Sequence, residues 1–157
     1  MLTETNLRSR IPQEIVQKCE IAMSNVPRWK GGLVESKINS IECVEILPEL
    51  VETSKYFKEE NSSIFSDPRF KLIIEDGRNY ILTTGNKYDL IISDLFFPWD
   101  AGVSNLYSYE HFQLCKKRLS EDGLMCQWLP LYQLSNRELR VIMATFFKTF
   151  DYVTIWL

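Results

Sequence analysis

Short apolar runs recur along the chain and alternate with segments of a different periodicity. Runs of this length that are rich in β-branched and aromatic residues predict β-strands. The run at residues 88–94 is almost wholly apolar between its acidic residues, which is typical of a strand buried on both faces of a sheet. We therefore predict strands at residues 41–46, 70–75, 88–94, 124–129 and 152–156.

The segments between these runs carry apolar residues at helical spacing. Pro48 suits the first position of a helix, and Ser135 followed by Glu138 forms a capping box. Alternation of strands and helices over most of the chain predicts an α/β fold, with a mostly parallel sheet and helices on both faces. We predict helices at residues 48–57, 79–82, 109–119 and from the cap at Ser135 to about residue 147, with a turn at residues 120–123.

The first four predicted strands each have a polar residue at or near their carboxyl end, namely Glu45, Asp76, Asp94 and Gln127. In open parallel sheets, ligands bind at the carboxyl ends of the strands, so these side chains are candidate site residues. Glu45 is suited to accept hydrogen bonds from both hydroxyls of a ribose, because its carboxylate offers two oxygens. The alternative for Glu45 is a solvated acid that the dipole of the following helix stabilises.

Asp76 and Gly77 form an acid–glycine pair after the second strand. Asp76 can accept a hydrogen bond from the exocyclic amine of adenine, and Gly77 lets the backbone approach a flat base. Asp76 is equally suited to cap the next helix, and the two roles are compatible. Asp94 would take a proton from an attacking amine or hold its cationic form, and its alternative role is a cap for the following loop.

An aromatic segment, residues 95–102, follows the third strand. It suits either a lid that shields a reaction from water or a contact between subunits, and the sequence does not separate the two. Tyr107, Glu110 and His111 lie around the start of the next helix, where we expect His111 to pack rather than to act as a base. Gln127 and Trp128 end a strand where they would contact substrate, although Trp128 is also typical of a core.

Composition and charge exclude several classes of protein. With 18 Lys and Arg against 21 Asp and Glu, the net charge is −3, so we expect no nucleic-acid partner. No apolar run approaches the roughly 20 residues of a membrane helix, and the N-terminus lacks a signal-peptide layout, so we expect a cytoplasmic chain without a membrane partner. The cysteines form no CxxC pair and His111 is the single histidine, so we expect buried or half-buried thiols and no metal site.

Three segments carry a resemblance to a known family: IECVEILPELVETSKYF, DPRFKLIIEDGRNYIL and KYDLIISDLF. They resemble the spermidine synthases, which are polyamine aminopropyltransferases with the Rossmann-like fold of the S-adenosylmethionine-dependent methyltransferases. The resemblance covers roughly residues 31–157. The stretches DLFFPWDAGVSNLYSYEHF and LMCQWLPLYQL are most similar to the spermidine-synthase-like domain that occurs fused to transporter segments.

The resemblance implies a role for each strand-end residue. Glu45 matches the acid that binds the ribose of decarboxylated S-adenosylmethionine or methylthioadenosine, and Asp76 with Gly77 matches the adenine-side pair. Asp94 matches the base that deprotonates the attacking amine. Gln127 matches a glutamine near the polyamine channel. The implied chemistry displaces the sulfonium from its neighbouring carbon and uses no metal.

The sequence departs from the family pattern in two places. Phe97 stands where the family has a second loop acid, which weakens the case for putrescine as the acceptor; we place Phe97 and Tyr107 on the substrate side. Ahead of residue 41 there is no strand followed by a glycine-rich loop. We expect residues 1–30 to form a helical extension and residues 31–157 a partial domain that lacks the glycine-loop strand and the last strand.

The inferred function is aminopropyl transfer from decarboxylated S-adenosylmethionine to an amine. A domain that is truncated in this way can also be inactive. Two alternatives remain open: an S-adenosylmethionine-dependent methyltransferase, and a non-catalytic nucleoside-binding or dimerisation module. The expected partners are small-molecule nucleoside and amine substrates and a second copy of the chain, because the aromatic segment suits a dimer contact.

Overall fold

The computed structural model describes residues 38–49, 64–93, 98–99 and 102–156. The described residues up to 83 form one compact unit, and those from 84 onward form a second. The elements in chain order are β1 (Ile41–Glu45), a 3-10 helix (Ile64–Ser66), β2 (Phe70–Ile74), α1 (Gly77–Thr83), β3 (Tyr88–Ser93), a second 3-10 helix (Val103–Tyr107), α2 (Tyr109–Arg118), β4 (Leu119–Gln127) and α3 (Asn136–Thr149).

In the first unit, β1 pairs with β2 in parallel, with Ile41 opposite Phe70 and Glu45 opposite Ile74. Just ahead of β2, the Asp67 carboxylate forms an ion pair with Arg69 at 2.6 Å. The hydrogen bonds from Arg69 lower the pKa of Asp67 to about 2. This short turn fixes the chain as it enters the strand that leads to the candidate site.

In the second unit, β3 pairs with β4 in parallel, with Ser93 opposite Gln127. The expected turn at residues 120–123 is wrong as stated, because these residues belong to β4. The pairing jumps from Tyr88↔Leu119 to Leu90↔Leu124, so the extra residues bulge within the strand. The Ser120 hydroxyl holds the bulge by donating to the carboxylate of Asp89 at 2.7 Å.

A small aromatic core holds the second unit together. Phe112 is fully buried, and its ring meets that of Phe146 edge-to-face at 5.0 Å between centroids. Tyr107 and Ile142 complete the buried cluster. The capping box at Ser135 is confirmed: its hydroxyl accepts from the backbone N–H of Glu138, whose carboxylate accepts from the N–H of Ser135 at 2.8 Å.

The predicted strand at residues 152–156 is wrong, because no strand is assigned there. Among the described residues no neighbouring strand pairs with this segment, and an unpaired strand cannot satisfy its backbone groups within the protein. The side chains of Tyr152 and Ile155 are exposed. Apolar alternation along this segment carried no information about a pairing partner.

The other described strands and α-helices lie within a few residues of their predicted positions, but the two 3-10 helices were not predicted. Tyr107 ends the second 3-10 helix and does not begin α2. Of the predicted helix at residues 48–57, only Pro48 and Glu49 lie inside the described residues, and both are helical. The predicted N-terminal extension and the question of a glycine-loop strand ahead of residue 38 fall outside the described residues. Within the described ranges, strand pairing gives two two-stranded parallel sheets, β1–β2 and β3–β4.

Candidate functional site

The first unit brings Glu45, Asp76 and Gly77 together at the carboxyl ends of β1 and β2. The strands run parallel and in register, so both leave the sheet at the same edge. The backbone N–H of Glu75 donates to the carbonyl of Glu45 at 3.1 Å, which continues the pairing to the residue before Asp76. This edge is where parallel sheets bind their ligands.

Glu45 has one carboxylate oxygen engaged by its own chain. Oε1 accepts from the backbone N–H of Leu47 at 2.9 Å, and within the described residues no bond to Oε2 is found. Cys43 shares the face of β1 that carries Glu45, because side chains alternate along a strand. Burial, and then the charge of Glu45, raise the pKa of the Cys43 thiol, which keeps it neutral beside the carboxylate.

Asp76 caps α1, as its alternative role predicts. Oδ1 accepts from the backbone N–H of Asn79 at 2.9 Å, while the carbonyl of Asp76 accepts from the N–H of Tyr80 at 2.9 Å. The bond to Asn79 uses one oxygen, so the other can accept from a ligand donor. Capping and base recognition are therefore compatible in this geometry.

Gly77 is the first residue of α1, and nothing among the described residues requires a glycine there. A Cβ built on Gly77 meets no atom within 4 Å, and its φ lies outside the left-handed region. Open space over a glycine backbone at the binding edge leaves room for a flat group to approach the chain.

A second carboxylate in β1, Glu42, lies behind this edge and was missed by the sequence reasoning. Its Oε2 accepts from the Tyr80 hydroxyl at 2.6 Å, and its Oε1 lies 3.4 Å from Nζ of Lys71. The available signal was an acid inside a predicted buried strand, which needs a partner. The pattern did not identify Tyr80 as that partner.

In the second unit, Gln127 ends β4 opposite Ser93, the last residue of β3. The backbone N–H of Trp128 donates to the carbonyl of Ser93 at 3.0 Å, so the pairing extends past the strand end. The amide Nε2 of Gln127 donates to the carbonyl of Trp128 at 3.1 Å. Its Oε1 is buried and accepts no hydrogen bond from the described residues, which leaves an acceptor for a ligand donor.

Tyr107 is buried at 6% exposure in the core of the second unit. It also lines a cleft of about 600 Å³ between the segment after β3 and the start of α3. Trp99 and Val141 contribute to the apolar lining, and Arg137 and Glu138 are its charged residues. The cleft is open to solvent, and most of its lining surface is apolar.

Two of the predicted site residues, Asp94 and Phe97, lie outside the described residues, as does much of the aromatic segment around them. The choice between a lid and a subunit contact therefore stays open. His111 packs in α2 at 4% exposure, with its Nε2 3.5 Å from Sγ of Cys115. Burial raises the pKa of Cys115 to about 12, so this thiol is not a nucleophile at neutral pH.

In the part of the chain that the structure describes, no helix combines the length and apolar character of a membrane span. The same residues bring no three His, Cys, Asp or Glu side chains together in a group that could hold a metal ion.

Comparison with known proteins identifies relatives. The family model of the spermine/spermidine synthase domain matches residues 13–155. A polyamine aminopropyltransferase from Buchnera aphidicola subsp. Acyrthosiphon pisum (strain Tuc7) is 36% identical over 102 residues, which is 64% of this chain and 35% of that protein. The enzyme from Korarchaeum cryptofilum is 35% identical over 94 residues, covering 59% of this chain and 29% of its own length. The chain thus spans about a third of the curated relatives it matches.

Solved structures agree on the fold. Spermidine synthase from Thermotoga maritima superposes with a TM-score of 0.63 at 24% identity, over 77% of this chain and 40% of that one. A spermidine synthase in complex with the transition-state analogue AdoDATO gives 0.66 at 24% identity, over 77% and 41%. The predicted Rossmann-like α/β fold with parallel strands is confirmed, and so is the resemblance to the spermidine synthases. The chain belongs to the spermine/spermidine synthase family.

Proposed function

We propose that the chain binds the nucleoside of decarboxylated S-adenosylmethionine at Glu45, Asp76 and Gly77 and belongs to an aminopropyltransferase of polyamine biosynthesis. The observation that carries this proposal is the pair of carboxylates at adjacent parallel strand ends, beside an unobstructed glycine. Glu45 accepts from the ribose hydroxyls, and Asp76 accepts from the adenine amine. The names of the curated relatives support the same activity.

The reaction is a displacement. The acceptor nitrogen attacks the aminopropyl carbon next to the sulfonium, the carbon–sulfur bond breaks, and its electron pair stays on sulfur to give methylthioadenosine. Before this attack, Asp94 takes a proton from the acceptor ammonium and frees the nitrogen lone pair, and the product nitrogen then carries the positive charge that leaves sulfur. The attacking amine must be neutral, so a carboxylate that takes the proton and holds the amine in line raises the rate.

Gln127 and the aromatic residues belong to the acceptor side in this proposal. Oε1 of Gln127 accepts from an N–H of the acceptor, which would satisfy a buried oxygen that has no partner in the described residues. Phe97 stands where the family has a second acid, so the acceptor is held there by a ring face and not by an ion pair. Tyr107 lines the cleft of the second unit, and we assign it to the acceptor side as well.

A second candidate is a nucleoside-binding module without transfer activity. The observation that favours it is Phe97 itself, because the loss of an acid removes one contact to an ammonium.

We also propose that residues 1–30 are a helical extension of a domain at residues 31–157, which works in the cytoplasm as a homodimer. The aromatic residues of the segment at residues 95–102 support the dimer, since aromatic side chains are enriched at interfaces.

Turnover with decarboxylated S-adenosylmethionine and a panel of amines tests the transfer step, with methylthioadenosine as the measured product. We expect Asp94→Asn to abolish the product while the affinity for methylthioadenosine is kept. His111→Gln is a control outside the mechanism. Unchanged turnover in Asp94→Asn would remove Asp94 from the mechanism. No turnover with any amine in a wild-type chain that binds the nucleoside would favour the binding module.

A further inference from the structure

The bond between Glu42 and Tyr80 joins the middle of β1 to the first helix after the candidate site. The side chain of Glu42 is only 14% exposed, so its carboxylate depends on protein partners. The hydroxyl of Tyr80 supplies one at 2.6 Å, a short hydrogen bond of the charge-assisted kind. Lys71, directly opposite Glu42 in the sheet register, supplies a longer contact at 3.4 Å.

The same tyrosine is tied to the site by its backbone. The N–H of Tyr80 donates to the carbonyl of Asp76 at 2.9 Å, so Tyr80 lies one helical turn after the adenine-side pair. Glu42 and Glu45 are an odd number of residues apart and point to opposite faces of β1. The bond therefore holds α1 from the face opposite to Glu45 and does not itself enter the candidate site.

The helix that carries this contact is short. α1 runs over seven residues, from Gly77 to Thr83, and a helix of that length has little stability of its own. Its position relative to β1 therefore depends on tertiary contacts, and the Glu42–Tyr80 bond is a directional one. A nucleoside needs that position to be fixed, because one short covalent bond joins its ribose to its base and the two groups must meet their acids at a limited spacing.

We propose that Glu42 and Tyr80 are positioning residues, which set the distance from Asp76 and Gly77 to Glu45 and thereby the affinity for the nucleoside. This inference rests on the proposed function, since the nucleoside site is its target. Glu42 and Tyr80 act through α1 and do not touch the ligand. Their hydrogen bond, and not the packing of the tyrosine ring, carries the effect.

Calorimetric titration of methylthioadenosine into variants of the full chain tests the proposal. We expect Tyr80→Phe and Glu42→Leu each to raise the Kd about tenfold, which corresponds to about 1.4 kcal/mol. The double variant is expected to bind no more weakly than either single variant, because both remove the same bond. Glu42→Gln keeps an acceptor and loses the charge, so its Kd should rise only about threefold.

Tyr109→Phe is the matched control, because it removes a tyrosine hydroxyl from the other compact unit and should leave the Kd unchanged. Amide hydrogen exchange gives a readout that does not need the ligand. In Tyr80→Phe the N–H of Asn79, which is bonded to Asp76, should exchange faster, since the start of α1 is no longer held.

The outcomes separate the inference from the proposed function. A wild-type chain that binds methylthioadenosine and a folded Tyr80→Phe with the same Kd would overturn the inference alone. Single effects that multiply in the double variant would overturn it too. If Tyr80→Phe does not fold, an unchanged Kd in Glu42→Gln would overturn the inference instead. No binding by the wild-type chain would overturn the proposed function and the inference together.

Discussion

Glu45, Asp76 and Gly77 each combine a structural role with a feature that a ligand can use. The two acids accept backbone N–H groups through one oxygen each, at Leu47 and at Asn79. A carboxylate oxygen pair offers about four lone-pair sites, so local capping does not exhaust it. Gly77 is different, because nothing in the described residues explains the absence of a side chain.

Gly77→Ala tests whether a glycine at this position is needed for ligand binding or for folding. The added methyl group meets no atom within 4 Å, and alanine is the better helix former, so the free energy of unfolding should stay equal or rise by up to about 1 kcal/mol. Affinity for methylthioadenosine should fall about tenfold, because the methyl group occupies the space of the base. Urea unfolding and calorimetric titration measure the two effects.

Gly85→Ala is the control for Gly77→Ala, because it also places a methyl group in open space and lies outside the candidate site. It should leave nucleoside affinity unchanged. A Gly77→Ala variant that binds like the wild type would show that the base does not approach this backbone.

The strand-end rule located Glu45 and Asp76 from sequence, because parallel strands in register deliver their carboxyl ends to one edge. The rule could not find Glu42 or its partner. Tyr80 is 38 residues further along the chain, and only the packing of α1 on β1 brings the two together. Gln127 was predicted from its place at a strand end, as Glu45 was. The sequence could not show that its Oε1 is buried and accepts no hydrogen bond from the described residues, because packing decides this.

Among the elements, β4 shows most clearly where sequence reasoning fails. The residues Ser-Glu-Asp-Gly predict a turn, yet they bulge inside the strand, because Ser120 bonds to the carboxylate of Asp89 and to the carbonyl of Tyr88. The local composition indicates a change of chain direction. It does not show that the residues stay paired with the neighbouring strand as a bulge. The predicted strand at residues 152–156 fails for the complementary reason, since no described strand pairs with it.

Gly123→Ala tests the bulge. A Cβ at this position would lie 2.8 Å from the carbonyl oxygen of Tyr88 and 3.0 Å from the backbone nitrogen of Ser120, so backbone must move. We expect the free energy of unfolding to fall by about 1–3 kcal/mol, as for other overpacked sites. Urea unfolding measures it, with Gly85→Ala as the unobstructed control. Equal stability of the two variants would contradict the packing at the bulge.

At the scale of the whole molecule, the family is established and the activity is a proposal. The chain matches the family model over residues 13–155 but spans about a third of its curated relatives. The candidate site residues are distributed over the two compact units. The acids assigned to the nucleoside lie in the first unit, and Gln127 and Tyr107 lie in the second. Strand and helix alternation sufficed to predict the α/β fold, because each short element has its own periodicity.

The central claim is that the carboxyl ends of β1 and β2 bind a nucleoside, and calorimetric titration with methylthioadenosine tests it without an acceptor. We predict a Kd below about 100 μM, or about −5.5 kcal/mol, for the wild-type chain. Glu45→Gln should weaken binding at least about tenfold, because an amide cannot accept through both atoms as a carboxylate does. No binding heat from the folded wild-type chain, or equal binding by Glu45→Gln, would contradict the claim.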